Sequence, residues 1–166
     1  MYLLDTEPHA DKRGFFARLF SAREFRDAGL REDLTEVSLS RNLKARTLRG
    51  MHFQSLPHDE CKLVRVPRGA IFDVAVDIRP DSPSCGQWLG VELSHENLRG
   101  LYIPRGFAHG FLTLENDTDV LYHITDTYRP EAATGFAWND PVVGIDWPCD
   151  PVILSERDAA LPAFTL

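Results

Sequence analysis

Cysteine is scarce in this sequence, with only Cys61, Cys85 and Cys149 in 166 residues. They are odd in number, widely spaced and form no Cys-x-x-Cys pair. Neither a disulfide framework nor a zinc knuckle is expected, and a reducing cytoplasm is the expected setting. Long apolar runs are lacking too; none approaches the roughly 18 residues of a membrane span. The N-terminal stretch reaches acid at Asp5 and Glu7 instead of running from basic to apolar, so no signal peptide is expected. Basic charge is in deficit: 18 Lys and Arg stand against 25 Asp and Glu, a formal net charge of −7. That balance disfavours nucleic acid as a partner, because phosphate backbones reward basic surfaces. A small anionic ligand stays possible, since it needs only a local cluster of Arg and Lys.

What is present reads as one all-β domain over residues 1–166. The 43% hydrophobic and 26% charged residues are enough to build one core and too ordered a mixture for a disordered chain. Ser21 to Glu24 has the capping-box pattern and starts a short helix ending near Gly29. Strand-like runs then follow at the spacing of barrels and sandwiches: Thr47–Gln54, Lys62–Val66, Ala70–Arg79, Gln87–Ser94, Gly100–Ile103, Phe107–Leu114 and Val120–Tyr128. Pro67-Arg68-Gly69 reads as a hairpin turn and Pro80 to Pro83 as a loop. In Ala70–Arg79, Phe72, Val74, Val76 and Ile78 share one face, and Ile71, Asp73, Ala75 and Asp77 the other. Leu154 to Ala160 reads as a short helix starting at Ser155. No repeat or linker interrupts the chain.

Three clusters carry chemistry. The first places Arg49, His52 and Lys62 within fourteen residues, on two runs read as neighbouring strands. The second is Pro104-Arg105-Gly106-Phe107-Ala108-His109. The third spans Tyr122 to Tyr128, where Tyr122, Ile124, Asp126 and Tyr128 share one strand face. Singly, each residue reads as structural: a satisfied histidine, an edge charge, a core tyrosine with a wet hydroxyl. Polar groups at inward strand positions of several strands together read as a barrel that holds a ligand.

Pro104-x-Gly106-x-x-His109 matches the second cupin motif, and Gly50 to Gly69 a degenerate form of the first. That implies a double-stranded β-helix, or jelly-roll, barrel with a few short helices. Longer stretches narrow the match. Arg13-Gly-Phe-Phe, Leu48-Arg-Gly-Met-His-Phe-Gln, Lys62-Leu-Val-Arg, Phe72-Asp-Val-Ala-Val-Asp, Gly86-Gln-Trp, Pro104 to Phe111, Trp138-Asn-Asp-Pro, Gly144-Ile-Asp-Trp-Pro and Leu154-Ser-x-x-Asp158 resemble the dTDP-4-dehydrorhamnose 3,5-epimerase family, in order, along essentially the whole chain.

The resemblance implies a metal-independent isomerase that inverts carbons beside a 4-keto group of a nucleotide sugar and needs no cofactor. It implies His52 as base, Asp158 as the residue that orients it, Lys62 as stabiliser of charge on the C4 oxygen and Tyr122 as the acid on the far face. Arg13, Arg49 and His109 match positions that contact the nucleotide sugar, Tyr128 an aromatic at the nucleotide end, and Arg157 a position commonly Lys. Arg18, Glu36, Ser38 and Ala133 stand where the family has other residues, all at binding positions. The proton-transfer set is therefore kept, while the base (dTDP, GDP or CDP), the 4-keto sugar, or the number of centres inverted is open to change. A homodimer is implied, with Arg13 and Arg18 serving the neighbouring subunit.

Two competing readings share the fold. A metal-dependent cupin would use His52, His58, Glu60 and His109, but the His-x-His pair of such sites is absent and Lys62 would place a cation beside the metal. A non-catalytic sugar-nucleotide binder would have no need of His52, Lys62, Tyr122 and Asp158 together.

Overall fold

A computed structural model describes residues 1–165; Leu166, the last residue of the expected domain, lies outside the described residues. The elements in chain order are β1 (Tyr2–Leu4), β2 (His9–Asp11), β3 (Gly14–Phe16), α1 (Ala22–Asp27), β4 (Glu36–Asn42), β5 (Leu48–Gln54), β6 (Lys62–Arg68), β7 (Ala70–Asp77), β8 (Trp88–Ser94), β9 (Gly100–Ile103), β10 (Phe107–Thr113), β11 (Thr118–Ile124), β12 (Ala133–Gly135) and α2 (Glu156–Ala159). Ten strands form two five-stranded sheets, ordered β1-β9-β6-β11-β4 and β12-β5-β10-β7-β8, and β2 pairs with β3. All of these pairings are antiparallel. The chain is thus an all-β jelly roll with two short helices. No helix of the described residues is long and apolar enough to cross a membrane.

Three apolar clusters hold the layers together. Between the sheets, Val64, Val66, Ile71, Ala75, Leu93, Leu101, Phe111 and Val120 form a dry core. Over the outer face of the second sheet, Val74 and Val76 pack with Phe136 and Val143, and Trp147 and Phe164 lie against them. Over the outer face of the first sheet, Leu63 and Tyr102 receive Phe25 of α1. The two faces expected for β7 are both real and both buried: Ile71 and Ala75 look between the sheets, while Val74 and Val76 look into the C-terminal layer. β5 and β10 approach closely because both carry glycine. A Cβ on Gly110 would meet Met51 Sδ at 2.6 Å and Arg49 O at 3.0 Å.

The helices form where expected. The Ser21 hydroxyl accepts from Glu24 N–H at 3.4 Å and caps α1. Ser155 caps α2, accepting from Asp158 N–H at 3.0 Å.

Three expectations need correcting. Pro67-Arg68-Gly69 is not a hairpin turn: β6 runs through Arg68, and β7 joins the other sheet, so the connection crosses the barrel. For the same reason β5 and β6 are not neighbours; they face each other from opposite sheets. The last long strand is β11 and ends at Ile124, so Asp126 and Tyr128 are not on it.

Five strands went unread in the sequence. β4 is the instructive one. Its Val37 and Leu39 are 64% and 62% exposed, while Ser38 and Ser40 line the space between the sheets. The usual pattern is inverted because the inward face borders a cavity that holds charged and polar side chains rather than the core.

Candidate active site

The dry core stops short of one end of the barrel, and a cavity of about 320 Å³ takes its place there. Both sheets supply its walls. β5 contributes Arg49 and His52, β10 His109, β6 Lys62, β11 Tyr122 and Ile124, and β4 Ser38 and Ser40. His52 stands directly opposite His109 across the β5–β10 ladder, and Gly135 of β12 is in register with His52 on its other side. Tyr122 is in register with Ser38 and Val64 in the facing sheet. Each of these side chains points inward because antiparallel partners in register share a face.

His52 is held from behind. Its Nε2 donates to Asp158 Oδ1 at 2.7 Å, and Asp158 Oδ2 accepts from Gly50 N–H at 3.3 Å. With Nε2 carrying the proton toward the carboxylate, Nδ1 carries the lone pair. Burial pushes the His52 pKa below its ordinary 6.5, and the charges of Lys62 and His109 push the same way; the hydrogen bond and charge of Asp158 oppose this. The net result is an imidazole that is unprotonated near neutral pH, the state a base requires. Asp158 is held by the Ser155 cap of α2 and is 5% exposed.

Tyr122 sits across the cavity. Burial raises its pKa well above that of an ordinary phenol, the charge of Asp73 adds to this, and Arg49 opposes it. Its hydroxyl is therefore a proton donor at rest, with a guanidinium near enough to favour a transient phenolate. The His109 ring packs edge-on to Tyr122 at 5.9 Å. His109 Nε2 bonds Asp73 Oδ1 at 2.7 Å in the barrel interior, while Asp73 Oδ2 has no partner. Lys62 Nζ pairs with Glu60 Oε1 at 2.9 Å.

Of the residues singled out in the sequence, His52, Lys62, Tyr122, Ser38, Arg49, His109, Tyr128 and Arg157 all line this one cavity. Arg49 is steadied by Asn42, to whose Oδ1 its Nε donates at 2.8 Å. Arg157 reaches Ala133 O at 3.3 Å, with Ala133 itself in the wall. Tyr128 comes to the cavity from beyond β11, with its N–H on Glu36 Oε1 at 3.2 Å. Glu36 thus supports the rim without lining the cavity. Arg13 and Arg18 are not brought to it: Arg13 pairs with Asp11 on the β2–β3 hairpin, and Arg18 lies near Glu24 at 3.5 Å. Asp126 points away and pairs with Arg105 at 2.8 Å.

The sequence reading missed Asp73 as the partner of His109 and Glu60 as the partner of Lys62. The signal for Asp73 was present, since a carboxylate alternating with Ile71 and Ala75 must sit inside the barrel. For Glu60 there was none, because it lies in the loop between β5 and β6. Of the four residues weighed as metal ligands, His52, Glu60 and His109 are each committed to another partner. Among the described residues no three His, Cys, Asp or Glu gather into a metal-binding group.

The model of the family described as dTDP-4-dehydrorhamnose 3,5-epimerase matches residues 1–165. A dTDP-4-dehydrorhamnose 3,5-epimerase of Sinorhizobium fredii is 45% identical over 167 residues, covering 98% of this chain and 84% of its own. A crystal structure of the Bacillus anthracis dTDP-4-dehydrorhamnose 3,5-epimerase with TDP and PPi bound superposes with a TM-score of 0.95 at 40% identity, covering 98% of this chain and 93% of that one. The Legionella pneumophila dTDP-6-deoxy-D-glucose-3,5-epimerase in complex with dTDP-4-keto-L-rhamnose gives a TM-score of 0.91 at 40% identity, with coverage of 99% and 93%.

Proposed function

The chain belongs to the dTDP-4-dehydrorhamnose 3,5-epimerase family, and on that footing we propose how this cavity epimerises a nucleotide-linked 4-keto-6-deoxyhexose. The observation that carries the reading is the His52–Asp158 pair facing a buried phenol, Tyr122, across a cavity that also holds Lys62.

The ketone at C4 makes the hydrogens on C3 and C5 acidic. His52 Nδ1 takes one of them; the C–H electron pair becomes the enolate double bond, and negative charge moves to the C4 oxygen. Lys62 stabilises that oxygen with a charge already in place, a kind of assistance that is often the largest contribution to rate. Tyr122 then returns a proton to the opposite face of the same carbon. Atoms balance: one proton leaves and one arrives, and the imidazolium and phenolate reset by exchange with solvent. Asp158 stabilises the imidazolium, and Arg49 the phenolate. The reaction needs no cofactor, because the substrate's own ketone supplies the acidity.

Arg49 and Arg157 suit the diphosphate, since the guanidinium fork matches phosphate oxygens. Tyr128, half exposed at the rim, offers a stacking surface to the base. The TDP bound by the Bacillus anthracis relative and the dTDP sugar bound by the Legionella relative support dTDP as the nucleotide. The protein acts as one cupin-like domain in the cytoplasm. It works as a homodimer, which accounts for exposed Phe15, Phe16, Val37 and Leu39 and for Arg13 and Arg18 lying outside their own chain's cavity. Size-exclusion chromatography with light scattering tests that assembly, and elution as a monomer would remove it.

The chemistry is tested by NMR of the protein with dTDP-4-keto-6-deoxyglucose in D2O. Deuterium should enter C3 and C5, and His52→Ala should slow this by about 10²–10⁴-fold. Exchange at one carbon alone would make it a single-centre epimerase. An undiminished rate in the variant would remove His52 as base.

A further inference from the structure

Glu60 is the only carboxylate that lines the cavity among the described residues; Asp73 and Asp158 stand behind their histidines. An acid there is an electrostatic anomaly, because the cavity has to accept a diphosphate-linked sugar. It is also fixed. Glu60 Oε1 holds Lys62 Nζ at 2.9 Å, and Glu60 Oε2 accepts from Gln54 Nε2. Gln54 is anchored in turn, donating to His58 O at 3.0 Å and accepting from Arg129 N–H at 2.6 Å. The Lys62 and Glu60 side chains are 11% and 10% exposed, so water screens the pair weakly. Lys62 has no other carboxylate within ion-pair distance among the described residues.

We propose that Glu60 is a positioning residue for the epimerisation: it aims the Lys62 ammonium into the cavity and holds it there. This rests on the role given to Lys62 above. A lysine ends in a point charge on a flexible four-carbon stem, which without an anchor does not stay in one place. The other groups facing Lys62 cannot supply the missing charge: His52 on β5, His109 on β10 and Tyr122 on β11 are neutral or cationic, and Arg49 and Arg157 are cations. A buried cation with no counter-charge is strongly disfavoured. Glu60 therefore offsets the cost of holding the lysine's charge in a largely buried position before the enolate forms. When negative charge appears on the C4 oxygen, the ammonium is already oriented toward it, and only the sharing of its charge changes.

The test compares Glu60→Gln, Glu60→Asp and Lys62→Met with wild type. Each is assayed for kcat and KM on dTDP-4-keto-6-deoxyglucose, and for folding by circular dichroism and thermal unfolding. Glu60→Gln should lower kcat roughly tenfold, less than the 10²–10³-fold expected for losing the oxyanion donor itself. Its KM should stay within about twofold. Glu60→Asp keeps the charge and should restore most of the lost kcat. A folded Glu60→Gln with wild-type kcat, or a folded Glu60→Asp no faster than Glu60→Gln, overturns the inference. A Lys62→Met enzyme of wild-type rate would instead remove the role of Lys62 in the proposed reaction.

Discussion

His52 owes its usefulness to two opposed effects at one ring. Burial lowers its pKa below 6.5, and Asp158 raises it. The acid limb of kcat/KM should therefore fall below pH 6.5. Replacing Asp158 by Asn removes the opposing effect, so the limb should move lower still. The rate should drop by about 10²–10⁴-fold as the ring loses its tautomer and orientation. NMR titration of the His52 ring alongside the pH–rate profile checks both, and a limb that moves upward would contradict this account. At this scale the sequence was informative. His52, Lys62, Tyr122 and Asp158 could be named because the motifs that carry the family resemblance imply them; the residues by themselves read as structural. The pairings Glu60–Lys62 and Asp73–His109 could not, because they are facts of distance.

At the scale of elements, α2 shows how a short helix positions a buried carboxylate against His52. It has four residues, too few to be stable alone, and it exists because Ser155 caps it and β5 lies beneath it. Ser155→Ala should cost about 1 kcal/mol in stability. It should also lower kcat several-fold by loosening the Asp158 backbone, with KM little changed; denaturant unfolding and steady-state kinetics measure the two. Ser155 was readable as a cap, since capping depends on residues three apart. β4 was not readable, because its apolar side chains face out and its serines face in. The β6–β7 connection misled for a related reason. Pro-Arg-Gly between two strands specifies a sharp turn, but whether the second strand pairs with the first is decided by their other partners, β9 and β11 for one and β8 and β10 for the other.

Across the whole molecule, titrating groups set how stability responds to acid. His52 and His123 have pKa values lowered mainly by burial. The unfolded chain therefore binds protons before the folded one, and stability should begin to fall as pH drops below about 6.5. The Arg79 guanidinium holds the Asp77 carboxyl well below the usual carboxylate range, aided by Ser82 and Ser84. Its contribution is complete above the unfolded value near 4 and is lost as pH falls below it. Urea unfolding between pH 7 and 3 should show both declines, and Asp77→Asn should flatten the second while leaving the first. A variant whose lower decline is unchanged would show that Asp77 is not its source.

The sequence alone determined the all-β class and the capped ends of both helices, which follow from local periodicity and residue spacing. Its motifs marked the family, and that resemblance named the residues proposed to carry out proton transfer. The tertiary structure decided which of those residues meet. His52 and Lys62 belong to opposite sheets, Tyr128 reaches the cavity from beyond a strand that has already ended, and Arg13 and Arg18 lie outside it. The physical reason is that a strand fixes only the face on which its own side chains lie. Which strand stands across the barrel, and at what distance, depends on the packing of two sheets whose strands are far apart in the chain.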